Sequence, residues 1–272
     1  MKNTLYMLAS EEFPQMNSFI ITTADGKVIV IDGGWRADAA KLLSRLRGIT
    51  GEEVPHVDAW FHSHAHADHT EAFMEIMENH GESVTVGAVY FHFPSVQYFE
   101  KYEAGSAYTV REFYELLPRF ADKACIVSEG DRYEVGEAVF DILYTADPAF
   151  RMNAVNNSST VFRMTLGGKR VLFLGDLGIE AGQKLLSQYG DALKSDWCQM
   201  AHHGQSGVER DVYEAIAPEG CLWSTPKWLW DNDAGKGFNT HIWQTVTVRG
   251  WMDEIGAKRH LVTKDGDQVL EF

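Results

Sequence analysis

Residues 58–70 read DAWFHSHAHADHT, and the fold and the chemistry both turn on this stretch. Ala59, Trp60 and Phe61 form a short apolar run of the kind that ends a buried strand. His62, His64, His66, Asp68 and His69 follow at once, separated by small residues. The pattern His-x-His-x-Asp-His places four potential ligands in six positions, and imidazole nitrogens with a carboxylate oxygen suit zinc while tolerating manganese or iron. On an extended or turning backbone, residues two apart face one side, so His64, His66 and Asp68 can converge on one pocket. A tight turn would aim His69 at an adjacent position, and two metals about 3.5–4 Å apart are the geometry of two-metal hydrolysis. The competing reading, a solvated histidine-rich loop, leaves the fixed spacing and the preceding strand unexplained.

Outward from this stretch, the chain alternates strands and helices. Upstream, Ser18 to Thr23 and Lys27 to Asp32 read as a hairpin about Ala24-Asp25-Gly26, and the apolar VIVID predicts a strand covered on both faces. Asp32 at its tip is expected to support the site rather than bind metal, because buried carboxylates mostly accept hydrogen bonds. Ala37 to Arg47 reads as a helix. Downstream, a helix is expected from about Thr70 to Asn79, with Thr70 as a possible cap, then a strand from Val84 to His92. His92 reads as a structural, hydrogen-bonded histidine. Residues 95–120 read as amphipathic helix, a plain packing face or a cover over the site.

The second half repeats the theme. Strands between Ala124 and Tyr144, split at Glu129-Gly130-Asp131 and Gly136-Glu137, precede a polar loop ending NNSS (156–159). A hairpin then runs from Thr160 to Leu174 about Gly167-Gly168 and ends on Gly175-Asp176, a carboxylate at the carboxyl end of a buried strand. Trp197 to Ala201 leads to His202-His203-Gly204, and helices are expected over Ile179–Tyr189, Val208–Ile216 and Gln244–Ile255. Trp223, Trp228, Trp230 and Trp243 are dense enough to offer a stacking surface, although core packing explains them more simply. Two strand-rich halves, each with helices outside, predict two sheets face to face between helical layers: an αββα sandwich of two mixed sheets, read as a single domain over 1–272.

Composition narrows the function. The 272 residues are 45% hydrophobic and 12% aromatic, which fits a folded protein. A formal net charge of −15 disfavours a dedicated nucleic-acid binder. The three cysteines are odd in number and far apart, so they predict reduced core residues, not a disulfide framework. No apolar run reaches the ~18 residues that cross a membrane and the start lacks a signal-peptide pattern, so a cytoplasmic location is expected.

Taken together, IDGG (31–34), SHAHADH (63–69), FLGD (173–176) and AHHG (201–204) resemble the metallo-β-lactamase-fold superfamily over essentially the whole chain. The NNSS segment, the LGGKRVLFLGD hairpin, the His-His-Gly ending and the FNTHI…VTKDGDQV tail look most like the ComEC-like hydrolase subgroup. The resemblance implies two divalent metals, foremost zinc: His64 and His66 on the first, Asp68, His69 and His202 on the second, and Asp176 bridging. It implies His203 and His241 as donors facing a small-molecule substrate, and Asp68 as a proton acceptor. Most zinc lactamases and glyoxalase II-like members carry a third histidine for the first metal; here only His80 and His92 fall in that interval and neither matches, leaving Asp147 or Asn156 to fill the gap. The expected activity is metal-dependent hydrolysis of a phosphoester. The alternatives are a ComEC-like nuclease and a metal-binding partner or sensor module without turnover. Oxidoreductase chemistry fits less well, since diiron relatives usually carry Glu where His66 stands.

Overall fold

A computed structural model describes residues 1–12 and 14–272. The first half supplies β1 (Thr4–Met7), β2 (Ser18–Thr22), β3 (Val28–Asp32), α1 (Ala39–Thr50), β4 (His56–Phe61), α2 (Ala67–Asn79) and β5 (Thr85–Phe91), then α3 (Val96–Tyr102), α4 (Ala107–Leu116) and β6 (Ala124–Ile126). The second half supplies β7 (Arg132–Val135), β8 (Ala138–Tyr144), β9 (Val161–Leu166), β10 (Lys169–Phe173), α5 (Ile179–Tyr189), β11 (Trp197–Gln199) and α6 (Arg210–Ile216). It ends with β12 (Gly220–Trp223), α7 (Lys227–Trp230), α8 (Thr245–Ile255), β13 (Arg259–Val262) and β14 (Gln268–Glu271).

The strands build two seven-stranded mixed sheets, in the orders β14-β1-β2-β3-β4-β5-β6 and β13-β12-β11-β10-β9-β8-β7. In each, one end is antiparallel and the other parallel: β3 through β6 run parallel, as do β10 through β13. Between the sheets lies one apolar layer containing Phe19, Ile31, Phe61, Phe140, Phe162 and Phe173. Phe61 stacks on Phe140 with centroids 4.3 Å apart, joining β4 of one sheet to β8 of the other. The opposite faces are covered by helices. Leu42, Leu46, Phe73, Ile76 and Phe113 cover the first sheet, and Ala181, Leu185, Val212, Ile216 and Met252 cover the second. Strand β3 is buried along its whole length because both its faces are covered. The expected αββα arrangement of two mixed sheets is therefore observed.

Several local expectations shift. Helix α2 starts at Ala67, not Thr70, so Asp68 and His69 lie in its first turn; Thr70 is inside the helix, its hydroxyl donating to the His66 carbonyl at 2.9 Å. Residues 95–120 are not one helix but α3 and α4, with a tight turn at Ala104–Ser106 that includes Gly105. Cys198 and Cys221 are buried and Cys125 partly so, all three as free thiols. No described helix is long and apolar enough to cross a membrane.

Candidate metal centre

The loops that leave the carboxyl ends of β4, β10, β11 and β12 meet at one edge of the sandwich. The β4 loop carries His62 to His66 and enters α2, whose amino-terminal turn holds Asp68 where the helix dipole favours a carboxylate. The β10 loop carries Asp176, whose N–H donates to the Ser159 hydroxyl at 3.0 Å, so the NNSS segment positions this carboxylate. After β11 the chain makes a left-handed turn, with φ of +51° at His202 and +57° at His203. The His202 N–H anchors that turn by donating to the Gly175 carbonyl at 3.1 Å.

Ligand atoms converge there. His69 Nε2 lies 3.2 Å from Asp176 Oδ1. His203 Nε2 lies 3.1 Å from Asp68 Oδ2 and 3.4 Å from Asp176 Oδ2. His64 Nε2 lies 3.0 Å from His66 Nδ1 and 3.8 Å from Asp176 Oδ2. Two sets, His64–His69–Asp176 and Asp68–His69–His203, each bring three ligand atoms within 4.8 Å of one another. Asp68 thus joins His69 and His203 instead of sharing a face with His64 and His66, because the helix begins before it.

The donors fit divalent cations. His69 Nε2, His203 Nε2 and Asp176 Oδ1 are buried without a hydrogen bond, although partners lie within 3.4 Å. Buried polar atoms ordinarily find partners, so imidazole and carboxylate atoms that cluster without a hydrogen bond make a candidate cation site. The remaining nitrogen of every imidazole is held in place: His64 Nδ1 by Ser63 Oγ (3.1 Å), His69 Nδ1 by Asp32 Oδ2 (2.8 Å) and His203 Nδ1 by the Ser224 carbonyl (3.1 Å). His202 Nδ1 is held by the Ser206 carbonyl at 3.0 Å, and His66 Nε2 lies 3.5 Å from Glu103 Oε1 and 3.4 Å from Ser106 Oγ. Such partners fix tautomer and ring orientation. Asp32 serves this supporting role, accepting also from Ser63 N (2.7 Å) and Asn17 Nδ2 (2.8 Å).

The electrostatics of the cluster set burial against charge pairing. Burial opposes charge on His203, but Asp176 and Asp68 outweigh it and raise its pKa to about 9. His69 likewise resists burial because Asp176 and Asp32 hold its proton, and its pKa rises well above the ordinary value. Asp68, also opposed by burial, is drawn down to about 2 by His203 and His69. Burial dominates at His64 and His202 and lowers both.

Of the pair His202-His203, the structure brings His203 rather than the expected His202 into a group of converging side chains. His203 is buried and belongs to a group of side chains that could hold a metal ion, whereas His202, about a quarter exposed, lines the cavity, with Nε2 3.9 Å from Asp176 Oδ2. The sequence placed the last strand residue at Ala201; β11 instead ends at Gln199, and the left-handed turn redirects both side chains. His241 is not brought to the cluster: it stacks on Trp243 (3.6 Å between centroids) and its N–H donates to the Asn232 carbonyl at 3.0 Å. Asp147 pairs with Lys184 at 2.7 Å and Asn156 bonds Asn153 at 2.9 Å, so neither fills the first position. Trp223 is core, edge-on to Trp230, and Arg249 covers the Trp230 ring at 3.9 Å. His92 bonds the Val127 carbonyl at 2.7 Å, a structural histidine as expected. Glu103, which no motif singled out, could only have been found from the break between α3 and α4.

A cavity of about 290 Å³ opens over the cluster, lined by Gln15, Trp35, His66, Asp68, Ser106, Tyr108, Thr109, Asp176 and His202 among others. The 104–109 segment thus borders the site. Among the described residues lining it there is no lysine or arginine.

A two-sheet sandwich with an imidazole–carboxylate cluster at one edge defines a class of metal-centre proteins. A model of the metallo-beta-lactamase superfamily matches residues 13–220, and the chain belongs to that superfamily. It is similar in fold to the metallo-beta-lactamase fold protein YhfI from Bacillus subtilis (TM-score 0.59, 15% identity, 99% of this chain and 100% of that one). It is also similar to Zn(2+)-bound PqqB from Methylobacterium extorquens (0.57, 12%, 96% and 90%). CmlA, a diiron beta-hydroxylase from Streptomyces venezuelae, matches at 0.58 and 14%, over 100% of this chain and 54% of that one, so this chain spans about half its length. These identities establish fold alone. No curated protein matches the chain.

Proposed function

We propose that the protein is a metal-dependent hydrolase that cleaves a phosphoester of a small substrate at a dinuclear centre. The observation that carries this reading is the set of buried, unpaired ligand atoms on His69, His203 and Asp176, converging from both halves of the chain. In this reading His64 and His66 would hold the first metal, Asp68, His69 and His203 would hold the second, and Asp176 would serve both. His203 takes the place first given to His202. Bound divalent ions supply Lewis acidity, lowering the pKa of a water toward about 7 and offsetting charge that develops on the ester.

The chain's own residues do the rest. Asp32, Ser63, Glu103 and the Ser224 carbonyl hold the imidazoles in register, so little reorganisation is needed as charge develops. Asp68 lies at the cavity wall, and with burial outweighed by His203 and His69 its pKa falls to about 2, so it stays ionised and serves as a hydrogen-bond acceptor that orients water rather than as the group that keeps the proton. The polar 290 Å³ cavity suits a small molecule, and with no cationic side chain among its described lining a substrate's charge must be met by the metals and imidazoles. Phosphoester chemistry is favoured by the ComEC-like segments and by the missing third histidine between the cluster and Asp176.

The test is elemental analysis of purified protein, then a screen of phosphodiesters, phosphomonoesters, lactones and thioesters with zinc, manganese or iron restored. Hydrolysis of a phosphoester that falls at least about 100-fold in Asp176→Ala and His69→Ala is expected. Activity unchanged in both variants overturns the mechanism. Two bound metals with no turnover on any ester class would point instead to a metal-binding module.

A further inference from the structure

Asn17, the residue before β2, falls in none of the sequence motifs, yet its side chain spans the seam between the two halves of the candidate centre. We infer that Asn17 is a positioning residue: it keeps His69 of the first half and His203 of the second in register by joining the groups that orient their rings. The inference rests on the dinuclear reading above, in which both histidines serve the second metal, and Asn17 acts on them only through other residues.

The connection runs bond by bond. His69 Nδ1 lies 2.8 Å from Asp32 Oδ2, and Asn17 Nδ2 donates to that same oxygen at 2.8 Å. At the other end of the amide, Asn17 Oδ1 accepts from the Ser224 hydroxyl at 2.8 Å, a bond between residues 207 positions apart in sequence. The Ser224 carbonyl in turn accepts from His203 Nδ1 at 3.1 Å. Two bonds through one amide therefore tie the carboxylate that orients one imidazole to the residue that orients the other. The polarity of the amide permits one arrangement. A carboxylate calls for a donor, so Nδ2 faces Asp32 and Oδ1 is left for the hydroxyl; turned over, the amide would set oxygen against carboxylate.

The setting makes this link stiff. Asn17, Asp32, His69, His203 and Ser224 are each no more than 1% exposed, so water does not readily replace a lost bond and the buried partner keeps its desolvation cost. The main chain of Asn17 is held separately. Its N–H donates to the Asp68 carbonyl at 3.0 Å, and its carbonyl accepts from the Gly33 N–H at 3.1 Å. Any residue with a backbone N–H offers those two bonds. Asparagine adds the amide, and both of its ends go to residues that orient an imidazole.

Asn17→Ala removes both side-chain bonds, whereas Ser224→Ala removes one and keeps the carbonyl that holds His203. Nitrogen-15 labelling of the histidine rings reads the consequence without turnover, in protein with and without added zinc. A crosswise effect is expected. Ser224→Ala, a change in the second half, shifts the His69 ring signals; Asn17→Ala, a change in the first, shifts those of His203. The His92 ring, held by the Val127 carbonyl, stays in place as the control. Zinc affinity of the folded variants, by competition with a chromophoric chelator, is the second readout. A residue that supports a ligand directly is worth about 10–100-fold in metal affinity, so each substitution, one bond further out, should weaken one ion about 10-fold. The double variant should lose no more than Asn17→Ala alone, because both changes break the same link. A merely structural Asn17 gives a different pattern: lower stability in urea, His69 and His203 signals unmoved crosswise, and zinc affinities within about threefold, which overturns the inference. If Asn17→Ala does not fold, the His69 signals of Ser224→Ala decide alone. If the unsubstituted protein binds fewer than two zinc ions, the dinuclear reading fails, and the crosswise ring shifts still decide the role of Asn17.

Discussion

His62 stands two residues before His64 in the same histidine run, yet its ring turns into the apolar cluster between the first sheet and its covering helices. It lies edge-on to Phe73 (4.7 Å between centroids), Phe113 (5.5 Å) and Phe93 (6.1 Å), and over Trp60 at 6.4 Å. Neither ring nitrogen has a hydrogen-bond partner, and burial pushes its pKa down to about 4, so it is a neutral imidazole carrying an uncompensated desolvation cost. Replacing such a group by an apolar side chain of similar size removes that cost. His62→Leu should therefore stabilise the fold by about 1 kcal/mol, read from urea unfolding, with metal content unchanged. A loss of stability of that size would mean that the imidazole is bonded after all. The sequence could not sort these histidines by periodicity, because β4 ends at Phe61 and the period of two stops applying there. It did separate Asp32 from the ligands, since a lone carboxylate at a strand tip has many backbone and hydroxyl donors within reach.

At the scale of elements, the strand–loop–helix unit around the cluster was legible and its boundaries were not. His66 occupies the cap position of α2 without a side-chain cap bond, so no capping signature announces the start at Ala67. The turn at Ala201–Gly204 was hidden for a related reason: its shape is dictated by contacts from other strands. Gly204 has φ +79°, and a Cβ there would meet the Trp223 ring at 2.3 Å. Gly204→Ala combines backbone strain with overpacking, so a loss of about 2–4 kcal/mol in urea unfolding is expected. Because the turn carries His202 and His203, the content of whichever metal the purified protein holds should fall after dialysis too. Full metal retention would show that the turn is not held by this close approach.

Over the whole molecule, the sandwich was readable because each half repeats one sequence pattern: an antiparallel hairpin, then strands alternating with helices. What could not be read is which loops meet. The loops of the two halves that carry the imidazole–carboxylate cluster face each other only because the sheets stack through contacts such as Phe61 on Phe140, more than seventy residues apart in sequence. The covering role suggested for residues 95–120 belongs to its central break, where Gly105, Ser106, Tyr108 and Thr109 border the cavity.

Strand β14 completes the first sheet by pairing with β1, with Thr4 opposite Glu271 and Met7 opposite Gln268. The two ends of the described chain are thus hydrogen-bonded neighbours, so the order in which the halves are connected is not a condition of the architecture. A circular permutant that joins the ends through a short flexible linker and opens the exposed turn between Ser128 and Glu129 would put the Asp176–His203 half first and the His64–His69 half second. It should fold, with the circular dichroism and metal stoichiometry of the parent. A permutant that folds but loses its metals would show that the continuous connection between β6 and β7, not the stacked sheets, keeps the two halves of the centre in register.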